Sequence, residues 1–205
     1  MKYFIRLATL LGVVSTVYAQ GNFEAIQGYT QGSQSVAVPG TGGWGFRTLN
    51  TITVTSLGCA QALVDAEGGV DIGLWTDAGL LLGSSTITPA NLLVNFARYG
   101  SVTPIVLEAG QTYRLGAASV NGLTTFSVLY GSPNADGTVT LASDIALGNA
   151  YISTEGFNFP GSQVGDDAML LGATFLFQPV PEASTIGYLC LGGLSLVFWR
   201  RARRG

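Results

Sequence analysis

Hydrophobic and polar residues alternate in short runs through the middle of the chain. The run Asn50–Thr55 places isoleucine and valine on one face and threonines on the other, which is the period of a half-buried strand. Val70–Trp75 repeats the alternation. Thr76–Gly79 then supplies turn residues before a second apolar run at Leu80–Thr88, so this part of the chain predicts a hairpin.

Similar runs recur between glycine-containing turns up to residue 177. Further strands are predicted at Leu92–Tyr99, Thr103–Leu107, Thr112–Val120, Thr124–Tyr130 and Ala173–Phe177. Roughly eight to ten short strands without a helical repeat indicate an all-β fold, an antiparallel β-sandwich of jelly-roll type. Residues 20–178 have the length of one domain.

The first nineteen residues have the zones of an export signal. Lys2 and Arg6 form a basic start, Leu7–Val17 an apolar run, and a small-residue site ends at Ala19. An uncleaved anchor is the alternative, but a membrane helix needs about 20 apolar residues. The pattern therefore predicts a signal peptide over residues 1–19, cleaved after Ala19.

The other end of the chain, residues 179–205, resembles a membrane-stop signal. A polar motif at residues 180–185 is followed by an apolar segment at 184–199, about 24 Å long if helical. It is short for a span, but bilayer thinning and snorkelling absorb such a mismatch. An amphipathic surface helix is less suitable because the segment has no polar face. A basic cluster closes the chain and predicts a cytoplasmic C-terminus; it consists of Arg200, Arg201, Arg203 and Arg204.

This tail resembles the PEP-CTERM sorting signal of exported bacterial proteins. Val180, Pro181 and Glu182 match its motif, whereas Ala183 stands where that family usually has proline. The resemblance implies recognition by an exosortase, a membrane-embedded cysteine protease. It implies a membrane-anchored intermediate that this protease cleaves near the motif, after which the protein is released or transferred to the cell surface or the extracellular space. Such tails also carry the label of an ice-binding protein C-terminal domain, which describes no activity.

The middle of the chain resembles a domain of unknown function that is common in PEP-CTERM proteins. The resemblance covers residues 43–177 and implies a β-sandwich, but it brings no catalytic residues. Its blocks are Ile52–Gly58, Asp71–Trp75, Phe96–Tyr99, Leu107–Ala117 and Leu171–Phe177.

The net charge of the predicted ectodomain limits the kinds of partner that it can bind. Between the two processed ends lie eleven acidic residues and three basic ones, Arg47, Arg98 and Arg114, so the net charge is −8. Such a surface repels phosphate backbones and argues against nucleic-acid binding. Cys59 is the one cysteine in this region, because Cys190 lies in the apolar tail. We expect Cys59 to pack as a small apolar residue, with an intermolecular disulfide as the alternative.

The composition excludes several kinds of catalysis. The chain has no histidine, which rules out a Ser-His-Asp triad and histidine-ligated zinc. Glycoside hydrolysis needs only two carboxylates, and the acidic residues of two glycine-rich stretches could supply them. These residues are Asp65, Glu67, Asp71, Asp166 and Asp167. Carboxylates in such stretches are usually solvated, so we expect no enzyme activity.

The same carboxylates suggest a calcium site. Asp65, Glu67 and Asp71 would form a hard-oxygen cluster in a flexible loop, completed by Asp166 and Asp167 if the fold brings them near. A solvated acidic loop is the competing interpretation. No other metal or cofactor is expected.

Aromatic side chains suggest carbohydrate binding. Trp44 follows Gly40–Gly43 and is the ring most expected to be exposed, whereas alternation places Trp75 and Tyr113 in the core. Tyr99, Tyr130 and Tyr151 are further available rings. The threonines of Asn50–Thr55 do not form an ice-binding surface, because the chain has no tandem repeat of them.

These observations predict an exported cell-surface or matrix protein with a structural or binding role. An exopolysaccharide-binding module is the alternative, and an enzyme with a carboxylate pair is third. The expected partners are an exosortase-type protease, the membrane through the tail, and extracellular polysaccharide.

Overall fold

The structure is a computed structural model that describes residues 21–30, 35–122, 124–130, 137–165 and 169–181. The described chain contains short strands and one helix, α1 (Gln61–Glu67). The strands are β1 (Phe23–Glu24), β2 (Ile26–Thr30), β3 (Ser35–Val38), β4 (Gly42–Thr48), β5 (Ile52–Ala60), β6 (Val70–Thr76), β7 (Leu81–Ile87), β8 (Leu92–Val94), β9 (Ala97–Leu107), β10 (Thr112–Ser119), β11 (Thr124–Tyr130), β12 (Thr138–Leu141), β13 (Ile145–Ile152), β14 (Ser162–Gly165), β15 (Met169–Leu171) and β16 (Ala173–Pro179).

Two large antiparallel sheets enclose the core. One has the order β1-β16-β5-β9-β8, and the other has the order β14-β13-β4-β10-β6-β7. Smaller sheets, β15-β11-β3 and β12-β2, complete the described strands. Phe46 of one large sheet and Phe175 of the other have ring centroids 5.1 Å apart, and both side chains are fully buried. Burial of each such ring stabilises the fold by about 1.5–3 kcal/mol. The all-β prediction is therefore confirmed.

Most predicted strands are present, with one difference in the region 92–107. Leu92–Tyr99 is not one strand, because the chain turns at Asn95, which has a positive φ of 50°. Thr103–Leu107 is not a separate strand but the second half of β9. The pairing of β9 with β5 is irregular here, because the register shifts between Val54 and Ser56. Pro104 lies in this irregular part, where a residue without an N–H is tolerated.

The stretch predicted as a flexible acidic loop is partly helical. Gln61–Glu67 is composed largely of good helix formers and forms α1, with Leu63 and Val64 buried. Gly68 ends the helix at a φ of 72°, and its N–H donates a 2.9 Å hydrogen bond to the carbonyl of Val64. The predicted flexible loop over residues 65–71 was therefore wrong at Asp65–Glu67, where helix propensity outweighs the acidic composition, and at Val70–Asp71, which begin β6.

The turn between β9 and β10 is fixed by two buried side chains. The phenol oxygen of Tyr113 accepts a 2.9 Å hydrogen bond from the N–H of Glu108, as predicted for a ring that returns to the core. Thr48 is fully buried and donates through its hydroxyl to the carbonyl of Glu108. The bond from Thr48, at the end of β4, places the β9–β10 turn beside the β4–β5 turn.

Several predicted features lie outside the described residues. They include the signal peptide with Ala19, the acidic pair Asp166–Asp167, Glu182, Cys190, the apolar segment 184–199 and the terminal arginines Arg200, Arg201, Arg203 and Arg204. Within the described ranges, no helix is long and apolar enough to span a bilayer.

Candidate functional site

Trp44 is a core residue and not an exposed ring. It lies on β4 with no exposed surface, and its indole N–H donates a 2.9 Å hydrogen bond to the carbonyl of Ala173. Its ring centroid is 5.2 Å from that of Phe46. The prediction of a glycan contact at Trp44 was therefore wrong. The alternation of glycine with Trp44 and Phe46 separates the faces of β4, and the aromatic face is the one that packs in the shared core.

Trp75 is buried on the face of the six-stranded sheet that points away from the shared core. Its neighbour Leu74 points into the core, whereas the Trp75 ring lies over Gly73, where a Cβ would come within 2.1 Å of the ring. Phe157 and Phe159 cover the ring at centroid distances of 5.5 and 6.4 Å. The predicted burial of Trp75 is confirmed, but its ring lies on the outer face of the sheet, where a loop covers it.

Arg114 holds this covering loop to the sheet. Its guanidinium carbon lies 3.9 Å from the ring centroid of Tyr151 and 4.6 Å from that of Phe159. Nη2 is 2.8 Å from the Asp77 carboxylate, and Nη1 donates a 2.9 Å hydrogen bond to the carbonyl of Pro160. Only 12% of the Arg114 side chain is exposed. The guanidinium of Arg114 is therefore in contact with four residues. We call Arg114 and these residues, Asp77, Tyr151, Phe159 and Pro160, the arginine clasp.

Thr41 anchors the same loop from its other end. Its hydroxyl donates to the carbonyl of Gly156 and accepts from the N–H of Asn158, both at 2.9 Å. The clasp and this anchor use the surfaces that Tyr151 and Trp75 would otherwise offer to a sugar. The ring of Phe157, which packs on Trp75, is 38% exposed and remains available to solvent.

Tyr99 is buried across the five-stranded sheet. Its ring lies on Gly58, and its hydroxyl donates a 3.3 Å hydrogen bond to Glu24. Burial, followed by the nearby Glu24 carboxylate, raises the pKa of the Tyr99 phenol above its usual range. Tyr99 is thus a packed residue. The side chain of Tyr130 lies outside the described part of the chain.

The three carboxylates predicted for calcium have separate partners. Asp65 accepts from Gln61 on α1 and lies 3.4 Å from Nε of Arg98. Glu67 accepts a 2.7 Å hydrogen bond from the hydroxyl of Ser119. Asp71 accepts a 2.6 Å bond from that of Thr86. Among the described residues, no three acidic or cysteine side chains gather in a metal-binding group.

Cys59 lies on β5 with no exposed surface and forms no disulfide within the described ranges. Burial raises the pKa of its thiol well above the ordinary range, so the thiol stays protonated and unreactive. Its position agrees with the prediction of a small apolar packing residue.

An open site lies at the junction between the sandwich and the tail. β16 ends at Pro179, and the next N–H, that of Val180, donates a 3.0 Å hydrogen bond to the carbonyl of Thr51. Pro181 follows and is exposed. The segment that resembles a sorting motif therefore begins at the residue after the last described strand.

A cavity of about 590 Å³ opens beside this motif. We call it the junction pocket; it is lined by residues that include Leu49, Asn50, Ala109, Asp144, Val180 and Pro181. The Asn50 amide donates a 2.7 Å hydrogen bond to Asp144, and the N–H of Leu49 donates to the carbonyl of that residue. Two turns that are far apart in sequence, at residues 49–50 and 144, are thereby held together beside the exit of β16.

No family model and no curated protein matches the chain. One solved structure with some similarity is titled "Crystal structure of infectious bursal disease virus VP2 subviral particle". The two are 12% identical, with a TM-score of 0.21, over 89% of this chain and 49% of the viral chain. This chain thus aligns with about half of the length of that protein.

Proposed function

We propose that the protein is exported, is sorted through its C-terminal tail by an exosortase-type protease, and acts outside the cell in a structural or binding role. The observation that carries the proposal is the position of Val180. The motif that resembles a sorting signal starts where the last strand ends, and both Val180 and Pro181 are exposed.

The position of β16 explains why sorting is compatible with a stable product. β16 is an inner strand between β1 and β5, and it contributes Phe175 and Phe177 to the core. A cut after Pro181 removes no residue of the described core. The mature sandwich would therefore retain its packing, while the apolar and basic tail is left behind.

The proposed role outside the cell is structural or binding. Asp65, Glu67 and Asp71 are each occupied by a different neighbour, as described above, and this favours a supporting role over paired acid–base catalysis. The acidic ectodomain suits a secreted protein that stays soluble. The proposal includes no cofactor, and the enzyme alternative remains third.

Carbohydrate binding is the second candidate, and Phe157 is the residue that favours it. This exposed ring packs on Trp75 beside the clasp, where the Asp77 side chain is 54% exposed and could accept sugar hydroxyls. Phe157→Ala should abolish binding to the host's exopolysaccharide in a pull-down, whereas Phe23→Ala, which changes another exposed ring, should not. Equal binding by both variants and the wild type would remove Phe157 from consideration.

Export and sorting are tested with the full chain in a bacterium that carries an exosortase. Glu182→Gln removes the charge of the motif and should leave the protein in the membrane fraction at the mass of the anchored form. Glu155→Gln, a matched change at an exposed loop residue, should be processed like the wild type. Release of the Glu182→Gln protein at the wild-type rate would contradict recognition of this motif.

A further inference from the structure

The motif is joined to the folded domain without a linker. Pro179 pairs with Ile52 in the sheet, and Val180 is bonded to Thr51, so the first two motif residues lie on the surface of the domain. Only four residues, 182–185, separate Pro181 from Ile186, the first large apolar residue of the segment 184–199. Fully extended, four residues span at most about 14 Å. A protease that reads the motif close to the membrane must therefore come into contact with this end of the sandwich.

The junction pocket is the part of the domain that such a protease would meet. Val180 and Pro181 form one wall of the pocket, so the pocket is continuous with the motif. Leu49 is 47% exposed and Val180 is 40% exposed, which leaves apolar surface at the opening. The Asn50 amide and the Asp144 carboxylate bond to each other. The polar part of the lining is thus preorganised, and apolar surface remains for a partner.

We propose that the junction pocket is a second recognition site for the sorting protease, which inserts an apolar side chain beside Leu49 while it holds the motif. This inference rests on the proposed function. It means that the folded end of the sandwich, together with the tail, determines how fast the chain is processed. The occupant is therefore the extracytoplasmic surface of the protease.

Pulse-chase measurement of tail removal from the full chain, in cells with exosortase, tests the inference. Leu49→Asn should lower the processing rate about tenfold, as expected when a central apolar contact is lost. The matched control is Leu92→Asn, which changes another exposed leucine. Leu92 pairs with Tyr99 near the start of β9, whereas the pocket lies beyond the end of that strand. Leu92→Asn should be processed like the wild type. Equal melting temperatures of the two variants verify that the sandwich is intact.

A spacer variant distinguishes docking of the protease in the pocket from simple steric obstruction of the protease by the domain. Insertion of Gly-Ser-Gly-Ser between Pro179 and Val180 moves the motif, and with it the wall that Val180 and Pro181 supply, away from the rest of the pocket, while Leu49, Asn50 and Asp144 stay in place. Docking predicts slower processing of this variant. If the domain only obstructs the protease, processing becomes faster, and the inference is overturned. Wild-type rates for both Leu49→Asn and the spacer variant overturn the inference alone, whereas an intact tail on exported wild-type protein overturns the proposed function as well.

Discussion

The indole N–H of Trp44 donates a 2.9 Å hydrogen bond to the carbonyl of Ala173. Trp44 belongs to the six-stranded sheet and Ala173 to the five-stranded sheet, so this bond crosses the core between them. The ring also packs on Phe46, which contacts Phe175 of the opposite sheet. Trp44 therefore joins the two sheets by both a polar contact and apolar packing.

Substitution of Trp44 should separate these two contributions. Trp44→Phe keeps most of the apolar volume but leaves the Ala173 carbonyl without its donor, which should cost about 1–3 kcal/mol of unfolding free energy. Trp44→Ala also leaves a cavity and should cost about 3–5 kcal/mol. Urea unfolding followed by fluorescence or circular dichroism measures both. An exposed Trp44 would instead give two losses near zero.

Gly43 should tolerate no side chain. A Cβ at this position would lie 1.9 Å from the carbonyl oxygen of Leu115 on the neighbouring strand β10. Because this contact is with backbone, Gly43→Ala must displace the strand, and we expect a loss of about 3 kcal/mol. Gly28→Ala on β2 is the matched control, since nothing lies within 4 Å of its Cβ, and its effect should stay within about 1 kcal/mol. Similar stabilities for the two variants would contradict the described packing of β4 on β10.

Arg114 should control the loop that covers Trp75. Arg114→Met keeps an apolar stem but removes the contacts to Asp77 and Pro160, so amide hydrogen exchange in residues 153–161 should accelerate about tenfold. Arg114→Lys should give an intermediate rate because a lysine keeps the charge but not the planar donors. Arg47→Met removes an exposed arginine from the neighbouring strand and serves as the control. Unchanged exchange in Arg114→Met would show that Thr41 alone holds the loop.

Cys59 should react with alkylating reagents only after unfolding. In the folded protein, burial keeps the thiol protonated, whereas in the unfolded chain it ionises near its ordinary pKa of 9.0. Because the folded pKa is the higher one, the unfolded state binds fewer protons at alkaline pH, and stability falls as the pH rises above about 9. Cys59→Ser removes this thiol and should flatten that part of the pH profile. Rapid labelling of the native protein at neutral pH would contradict the buried position.

Features that depend on neighbouring residues in the sequence could be predicted, whereas features that depend on contacts between distant segments could not. The β6–β7 hairpin could be predicted because alternation and turn residues lie side by side in Val70–Ile87. Trp75 was harder. The sequence predicted a core position for it, whereas it lies on the face opposite Leu74, and only the distant loop with Phe157 and Phe159 makes that outer face a buried one. The face of a strand is a local property, and its burial is a tertiary one.

The candidate site was the least predictable part. The resemblance of Val180 and Pro181 to a sorting motif is visible in the sequence, but the junction pocket is not, since it is formed by turns around residues 49, 109 and 144 that meet only in the fold. Asp144 carried no motif of its own, and its importance comes from its bond to Asn50. A pocket built from such contacts leaves no pattern along the chain.

Intact-mass spectrometry of the exported protein tests the central claim most directly. The account predicts a C-terminus within or next to the motif at residues 180–185, so that the mature chain lacks Arg200, Arg201, Arg203 and Arg204. The same measurement reports whether the mature chain starts at Gln20. An exported protein that still ends in Arg204-Gly205 would contradict processing at the motif.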